Sequence, residues 1–244
     1  RGVKVQLELG GHNAAIVMPD VDSVFAAKQL TVGAMSGSGQ KCTATRRIIT
    51  VGDAHESFVA ALRSEVEALV VGPGSQAGVT TGPVISASAK KEIDGAVSDA
   101  VAQGGRIIAQ AKLPEGPGFY VAPTVLEGDM TIRTCKEEVF GPITTVMNVA
   151  SLEEAIEMAN ATEFGLTASI FSASDADIQL ATTGLIAGLI KINAPNTGSE
   201  LHVPFGGLKG STFPGPREQN AESVAEFFTI TKSVYRRVAP RRQP

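Results

Sequence analysis

Residues 36–47 read Ser-Gly-Ser-Gly-Gln-Lys-Cys-Thr-Ala-Thr-Arg-Arg and place Cys42, one of two cysteines in 244 residues, in a loop of small residues. A thiolate is a strong nucleophile, and glycines let a substrate and backbone N–H groups approach it closely. Read alone, a cysteine is more often a packing residue than a reagent. A second chemical group is Glu8, set inside the apolar run 5–9. Burying a charge is costly unless it is paired or used, and an alternating strand that turns Glu8 to solvent is the plain alternative. A third is Glu138, in the pair that precedes the Gly141-Pro142 turn, which by itself reads as a solvated loop. A thiol that adds to a carbonyl needs a donor for the oxyanion and a base to activate water for release. The Cys42 backbone N–H is a natural oxyanion donor.

These groups must be held by a framework, and the pattern is one of strands alternating with helices. Short strands are predicted at residues 5–9, 14–18, 47–51, 107–109, 120–125, 143–149, 167–171 and 189–192. Helices are predicted from Asp20 or Asp22 to about Met35, with Val24, Ala27, Leu30 and Ala34 on one face, and at 55–68, 88–103, 152–160 and 175–183. Ser151 with Glu154 forms a capping box for the fourth of these. The alternation argues for an α/β fold, a mostly parallel twisted sheet flanked by helices. Residues 193–216 form a long Gly- and Pro-rich segment of the kind that usually carries function. A β-prone stretch follows at 227–235, then a basic tail with Arg236, Arg237, Arg241 and Arg242. The stretch 70–77 mimics a strand followed by a dinucleotide fingerprint, but residues 78–83 do not form a helix, so it reads as a surface loop.

Composition excludes several classes. Apolar residues make up 43% and charged residues 19%, with a net charge of −4, so neither disorder nor a nucleic-acid partner is expected. No apolar run reaches spanning length and no leader opens the chain, so no membrane association is expected. Two distant cysteines and three scattered histidines make neither a disulfide framework nor a metal site, which fits the cytoplasm. The beginning Arg1-Gly2-Val3-Lys4 reads as a cut inside a longer protein.

Four motifs in order resemble one family. Gly39, Gln40, Cys42, Ala44 and Arg47 match Gly-Gln-x-Cys-x-Ala-x-x-Arg; Leu7-Glu8-Leu9-Gly10-Gly11, Glu137-Glu138-Val139-Phe140-Gly141-Pro142 and Pro204-Phe205-Gly206-Gly207-Leu208-Lys209 match three more. Together they resemble the catalytic half of the aldehyde dehydrogenase family. The resemblance implies that Cys42 is the nucleophile and Glu8 the general base. It implies that Glu138 binds the nicotinamide ribose and that Phe140, Leu9 and Gly10 lie at the cofactor, NAD or NADP. Phe205 and Asn193 would line the substrate pocket. Glu218 would help to relay protons, although the glycine that follows in the family is here Asn220. Lys41, Thr43 and Ser199 are candidates for holding a keto-acid aldehyde, and Lys41 could favour the thiolate. His12, where many relatives have lysine, and Cys135 are assigned no role.

By this resemblance residues 1–8 end a nucleotide-binding domain, 9–213 are the catalytic domain, and 214–244 close the chain with an oligomerisation strand. The missing N-terminal half would be a partner, and a homo-oligomer, dimer or tetramer, is expected. The substrate reads as a small semialdehyde such as 2,5-dioxopentanoate. Another semialdehyde or a betaine-type aldehyde is the nearest alternative, and a non-enzymatic relative of the fold is the alternative of a different class. The chain alone is expected to oxidise aldehydes negligibly.

Overall fold

The structure is a computed structural model that describes residues 3–215 and 219–239. In chain order the elements are β1 (Leu7–Glu8), β2 (Asn13–Val17), α1 (Ser23–Met35), β3 (Thr45–Val51), α2 (Ala54–Glu67), α3 (Ala87–Ala102), β4 (Arg106–Gln110), β5 (Thr124–Glu127) and α4 (Arg133–Lys136). Then come β6 (Ile143–Val149), α5 (Leu152–Asn160), β7 (Phe164–Gly165), β8 (Thr167–Phe171), α6 (Asp175–Gly184), β9 (Leu189–Ile192), β10 (Leu208–Lys209), β11 (Thr212–Phe213) and α7 (Glu222–Phe228).

Seven strands form one sheet in the order β4-β5-β6-β3-β2-β8-β9. All neighbours are parallel except the edge pair β4–β5. Helices cover both faces of the sheet, so the side chains that alternate along each strand are buried on either side. Ala15, Val17 and Ile48 pack with Ala27, Leu30, Phe58 and Leu62 of α1 and α2. Ala14, Ile16 and Ile49 pack with Ile93, Ala96, Ala155 and Ile156 of α3 and α5. The expected mostly parallel sheet between helices is therefore present.

Local signals place the helix starts. Asp22 accepts from the Phe25 N–H, and Ser86, Ser151 and Ser174 cap α3, α5 and α6 in the same way. Glu154 reaches back to the Ala150 N–H at 2.9 Å, one residue earlier than a standard box.

Three expectations need correction. Val24 does not join the buried face of α1; it is exposed, and Ala26 takes the inward position. The strand expected from residue 120 starts at Thr124, because Pro123 has no N–H to give a ladder. The β-prone stretch at 227–235 begins as helix: Phe227 and Phe228 belong to α7, and 229–239 take no regular element. Among the described residues no strand pairs with it, whereas the Lys4 ammonium donates to the Glu226, Phe227 and Thr229 carbonyls at 2.8, 3.1 and 2.7 Å and holds the helix end. Among the described residues no helix is long and apolar enough to cross a membrane.

His12 shows how closely the core is built. It is buried, its Nε2 lies 3.1 Å from the Thr134 carbonyl, and Nδ1 has no partner among the described residues. Burial, with the Arg47 and Arg46 guanidinia nearby, lowers its pKa from 6.5 to about 3. An unfolded chain therefore binds this proton first. The stability that neutral His12 allows is complete above pH 6.5 and is lost as pH falls from there toward 3, on the order of 5 kcal/mol in all. Urea midpoints measured across that window should fall less steeply for His12→Gln than for the unsubstituted protein.

Candidate active site

The loop that carries Cys42 runs from α1 into β3 and is held from three sides. From β2, Asn13 Nδ2 donates to the Cys42 and Ala44 carbonyls at 2.7 and 2.8 Å. From the 82–85 segment, Gln40 Oε1 accepts from the Ile85 N–H at 2.9 Å, and Ser38 Oγ donates to the Gly82 carbonyl at 2.9 Å. From β3, Arg46 donates to the Gly39 and Lys41 carbonyls at 2.6 and 3.2 Å. Ser38 and the two glycines beside it sit at positive φ, 58° for Ser38 and 63° for both Gly37 and Gly39, so the chain turns through left-handed conformations just before the cysteine.

Cys42 is half-buried, and burial pushes its thiol pKa up. The Glu138 and Glu8 carboxylates push in the same direction, while the N–H groups of Cys42 and Thr43 oppose them. A thiol raised in this way is protonated at neutral pH, which corrects the expectation that Lys41 would favour the thiolate. The Lys41 ammonium is exposed and donates back to Ser36 Oγ at 3.1 Å.

Glu8 is set by pairing of β1 with β11, where it lies opposite Thr212, and by the Leu9 N–H donating to the Ser211 carbonyl at 3.0 Å. Burial raises its pKa, opposed by the nearby Gly207 N–H, and neither carboxylate oxygen has a hydrogen-bond partner of ordinary geometry among the described residues. Glu138 is also raised by burial, with the Gly11 N–H and Arg46 pulling it down, and its Oε1 is buried without a partner among those residues. The Gly10-Gly11 turn fits between these groups for want of side chains. A Cβ on Gly10 would lie 2.1 Å from Glu138 Oε2, and one on Gly11 would lie 2.5 Å from the Cys42 carbonyl oxygen.

Cys42, Glu8, Gly10, Glu138 and Thr43 are therefore neighbours, drawn from residues 8–11, 42–43 and 138. Phe140 adjoins them, half exposed, with its ring centroid 5.6 Å from the Arg46 guanidinium carbon. Leu9 is exposed beside Gly10. Phe205 is half-buried, its carbonyl accepts from the Gln219 N–H at 2.6 Å, and its loop carries Gly207 to Glu8. A cleft of about 700 Å³ lies beyond that loop, lined by Gly207, Lys4, Gln6, Glu226 and Phe227 among others, but not by Cys42. Glu218 lies outside the described residues.

Asn193 is not part of this cluster. It follows β9 at φ 52°, and its side chain pairs with the main chain of Ser172, accepting from N–H at 3.0 Å and donating to the carbonyl at 2.9 Å. Ser172 follows Phe171, which pairs with Met18 at the far end of β2, whereas Cys42 is tied to Asn13 at its near end. Five residues of strand put them about 16 Å apart. The residue of that loop that does reach the cysteine end is Asn196, which accepts from Thr45 Oγ1 at 2.7 Å and donates to the Ala14 carbonyl at 3.1 Å. Asn13, Arg46 and Asn196 do not stand out in the sequence. The available signals were a polar residue opening an apolar strand and two successive arginines in a buried one.

A buried carboxylate oxygen with no partner among the described residues suits a ligand that brings hydroxyl donors. Glu138 Oε1, against a glycine turn with no side chains, fits the ribose of a dinucleotide.

The family model for the aldehyde dehydrogenase family matches residues 1–234. An α-ketoglutaric semialdehyde dehydrogenase of Bacillus subtilis is 38% identical over 245 residues, covering 96% of this chain and 49% of the relative. An α-ketoglutarate semialdehyde dehydrogenase of Haloferax volcanii is 37% identical over 239 residues, with the same two shares. A crystal structure of methylmalonate-semialdehyde dehydrogenase from Oceanimonas doudoroffii superposes with a TM-score of 0.90 at 30% identity, over 97% of this chain and 49% of that one. Betaine aldehyde dehydrogenase from Staphylococcus aureus, solved with NAD+, gives 0.85 at 32%, over 91% and 44%. The chain spans about half the length of the relatives it matches, and it belongs to the aldehyde dehydrogenase family.

Proposed function

We propose that this chain is the catalytic part of an NAD(P)-dependent aldehyde dehydrogenase that converts a small semialdehyde of the 2,5-dioxopentanoate type to its carboxylate. The observation that carries the reading is the half-buried Cys42 thiol flanked by the Glu8 and Glu138 carboxylates, each raised in pKa by burial. The substrate class rests on the names of the relatives, two of which act on α-ketoglutarate semialdehyde.

Cys42 gives its proton to solvent and its sulfur adds to the aldehyde carbon, forming one C–S bond as the carbonyl π bond breaks and its electron pair moves to oxygen. The backbone N–H groups at Cys42 and Thr43 are the nearest donors to that centre. When bound, a nicotinamide dinucleotide would supply the hydride acceptor for oxidation of the adduct to the thioester. Glu138, Phe140 and the Leu9-Gly10 main chain would hold it. Glu8 then takes a proton from water as the new C–O bond forms and the C–S bond breaks. Burial raises its pKa, the direction that makes a carboxylate a stronger base. Lys41, Thr43 and Phe205 border the place where substrate enters, and Glu218 would pass protons outward.

The nucleotide-binding half of the relatives is the partner this reading requires. Without it an oxyanion donor is lost, about 10²–10³-fold in rate, so NAD(P)-dependent turnover by this chain alone should be negligible. Relatives include an NADP(+) enzyme and one solved with NAD+, so either dinucleotide is in scope. The exposed Ile230, Val234 and Tyr235 would add a strand to a second copy, and a free catalytic thiol suits the reducing cytoplasm.

An activated ester tests the core of this without a dinucleotide, because it acylates a thiol directly. With p-nitrophenyl acetate the chain should release a burst of nitrophenolate equal to the protein present, with acetyl found on Cys42 by peptide mass. Cys42→Ala should abolish the burst; a burst that survives it would sink the proposal.

A further inference from the structure

Two successive arginines in β3 have buried guanidinia, and among the described residues neither forms an ion pair with a carboxylate. Strand alternation sends them to opposite faces. Arg47 donates to the His12, Met158 and Ala159 carbonyls, the last two at the end of α5. That is a structural seat.

Arg46 has a different set of partners. Nη1 donates to the Gly141 carbonyl at 2.7 Å, and Nη2 to the Gly39 and Lys41 carbonyls at 2.6 and 3.2 Å. Gly39 and Gly141 touch backbone to backbone: a Cβ on Gly39 would lie 2.0 Å from the Gly141 oxygen. Their carbonyls meet on one cation, which offsets a repulsion between buried dipoles. The planar fork spans both loops at once, a geometry a point-charge ammonium cannot copy. The same guanidinium lies over the Phe140 ring, 5.6 Å from its centroid, and its charge faces both Glu138 and Cys42.

We propose that Arg46 is a positioning residue that locks the Cys42 loop onto the segment carrying Glu138 and Phe140, fixing the nucleophile against the cofactor-facing carboxylate. This rests on Cys42 being the nucleophile. The charged groups facing that thiol are Glu138, Glu8 and Arg46.

The test is the pH profile of iodoacetamide alkylation at Cys42, read by peptide mass on the intact chain. Cys135 is fully buried, so its labelling reports unfolding in the same sample. Arg46→Met should move the Cys42 midpoint up, with Cys135 still protected, because the guanidinium that holds the Gly39 and Lys41 carbonyls and interacts with the thiol is lost. Arg46→Lys should restore the midpoint by keeping the charge, while amide exchange at residues 39–43 stays faster than in the unsubstituted chain. An unmoved midpoint in a folded Arg46→Met would overturn the proposal. If Arg46→Met labels Cys135 as fast as Cys42, Arg46→Lys decides, and unchanged exchange at 39–43 overturns it. The ester burst is a separate readout: its absence beside a shifted midpoint defeats the catalytic reading and leaves the clamp standing.

Discussion

Glu8→Gln should leave the burst with p-nitrophenyl acetate at full amplitude and lower the steady rate after it by about 10²–10⁴-fold. Glutamine keeps the shape but cannot take a proton from water, so acylation of Cys42 proceeds and hydrolysis stalls. The acetyl group should then be recoverable on Cys42 from the variant at times when the unsubstituted chain has turned over. The pH dependence follows from the buried carboxyl. Burial raises the Glu8 pKa, so the base is present above that raised value and lost below it, and the steady rate should climb with pH at values above the ordinary glutamate range. Glu8→Gln should remove this limb. Equal loss of burst and steady rate would show that Glu8 acts on the thiol or on folding instead of on water.

Gly39→Ala should cost about 4 kcal/mol or more in urea unfolding and silence Cys42 as well. The residue sits at φ 63°, which alone costs a side chain about 1–2 kcal/mol. The added Cβ would also stand 2.0 Å from the Gly141 oxygen, 2.3 Å from its carbon and 2.7 Å from the Pro142 nitrogen. All three are backbone, so relief requires the two loops to part. Gly52 is the control, with φ 57° and nothing within 4 Å of the place a Cβ would take. Gly52→Ala should therefore show only the conformational cost, about 1–2 kcal/mol, with normal Cys42 labelling. Similar losses in the two variants would mean that the contact between loops carries no energy.

Much of the framework was legible because local signals and long-range packing agree. The bounds of β6, α5, β8 and β9 follow from apolar runs and capping serines, and burial on both sheet faces explains why those runs lack polar interruption. The site was legible where a residue acts through its own chemistry, as Cys42, Glu8 and Glu138 would. It was not legible where a residue acts through a distant carbonyl: Arg46 meets Gly141 across 95 positions, and Asn13 meets Cys42 across 29. Asn193 misled because a motif position says nothing about which end of a strand a side chain serves. The 227–235 stretch begins as helix because β propensity needs a partner strand, and a lysine from the other end of the chain offers the helix its last-turn contacts.

The anchoring of Cys42 to the first residue of β2 has a practical corollary. Doubly wound sheets commonly bind ligands where the strands finish; here Cys42 and its neighbouring carboxylates gather where they begin. Turns that leave the strands, such as exposed Gly52 and Asp53 after β3, therefore lie at the opposite end of the sheet from that cluster. A reporter peptide or affinity tag grafted at that corner would sit a full strand length from the reactive sulfur, making it a natural handle for immobilising the protein.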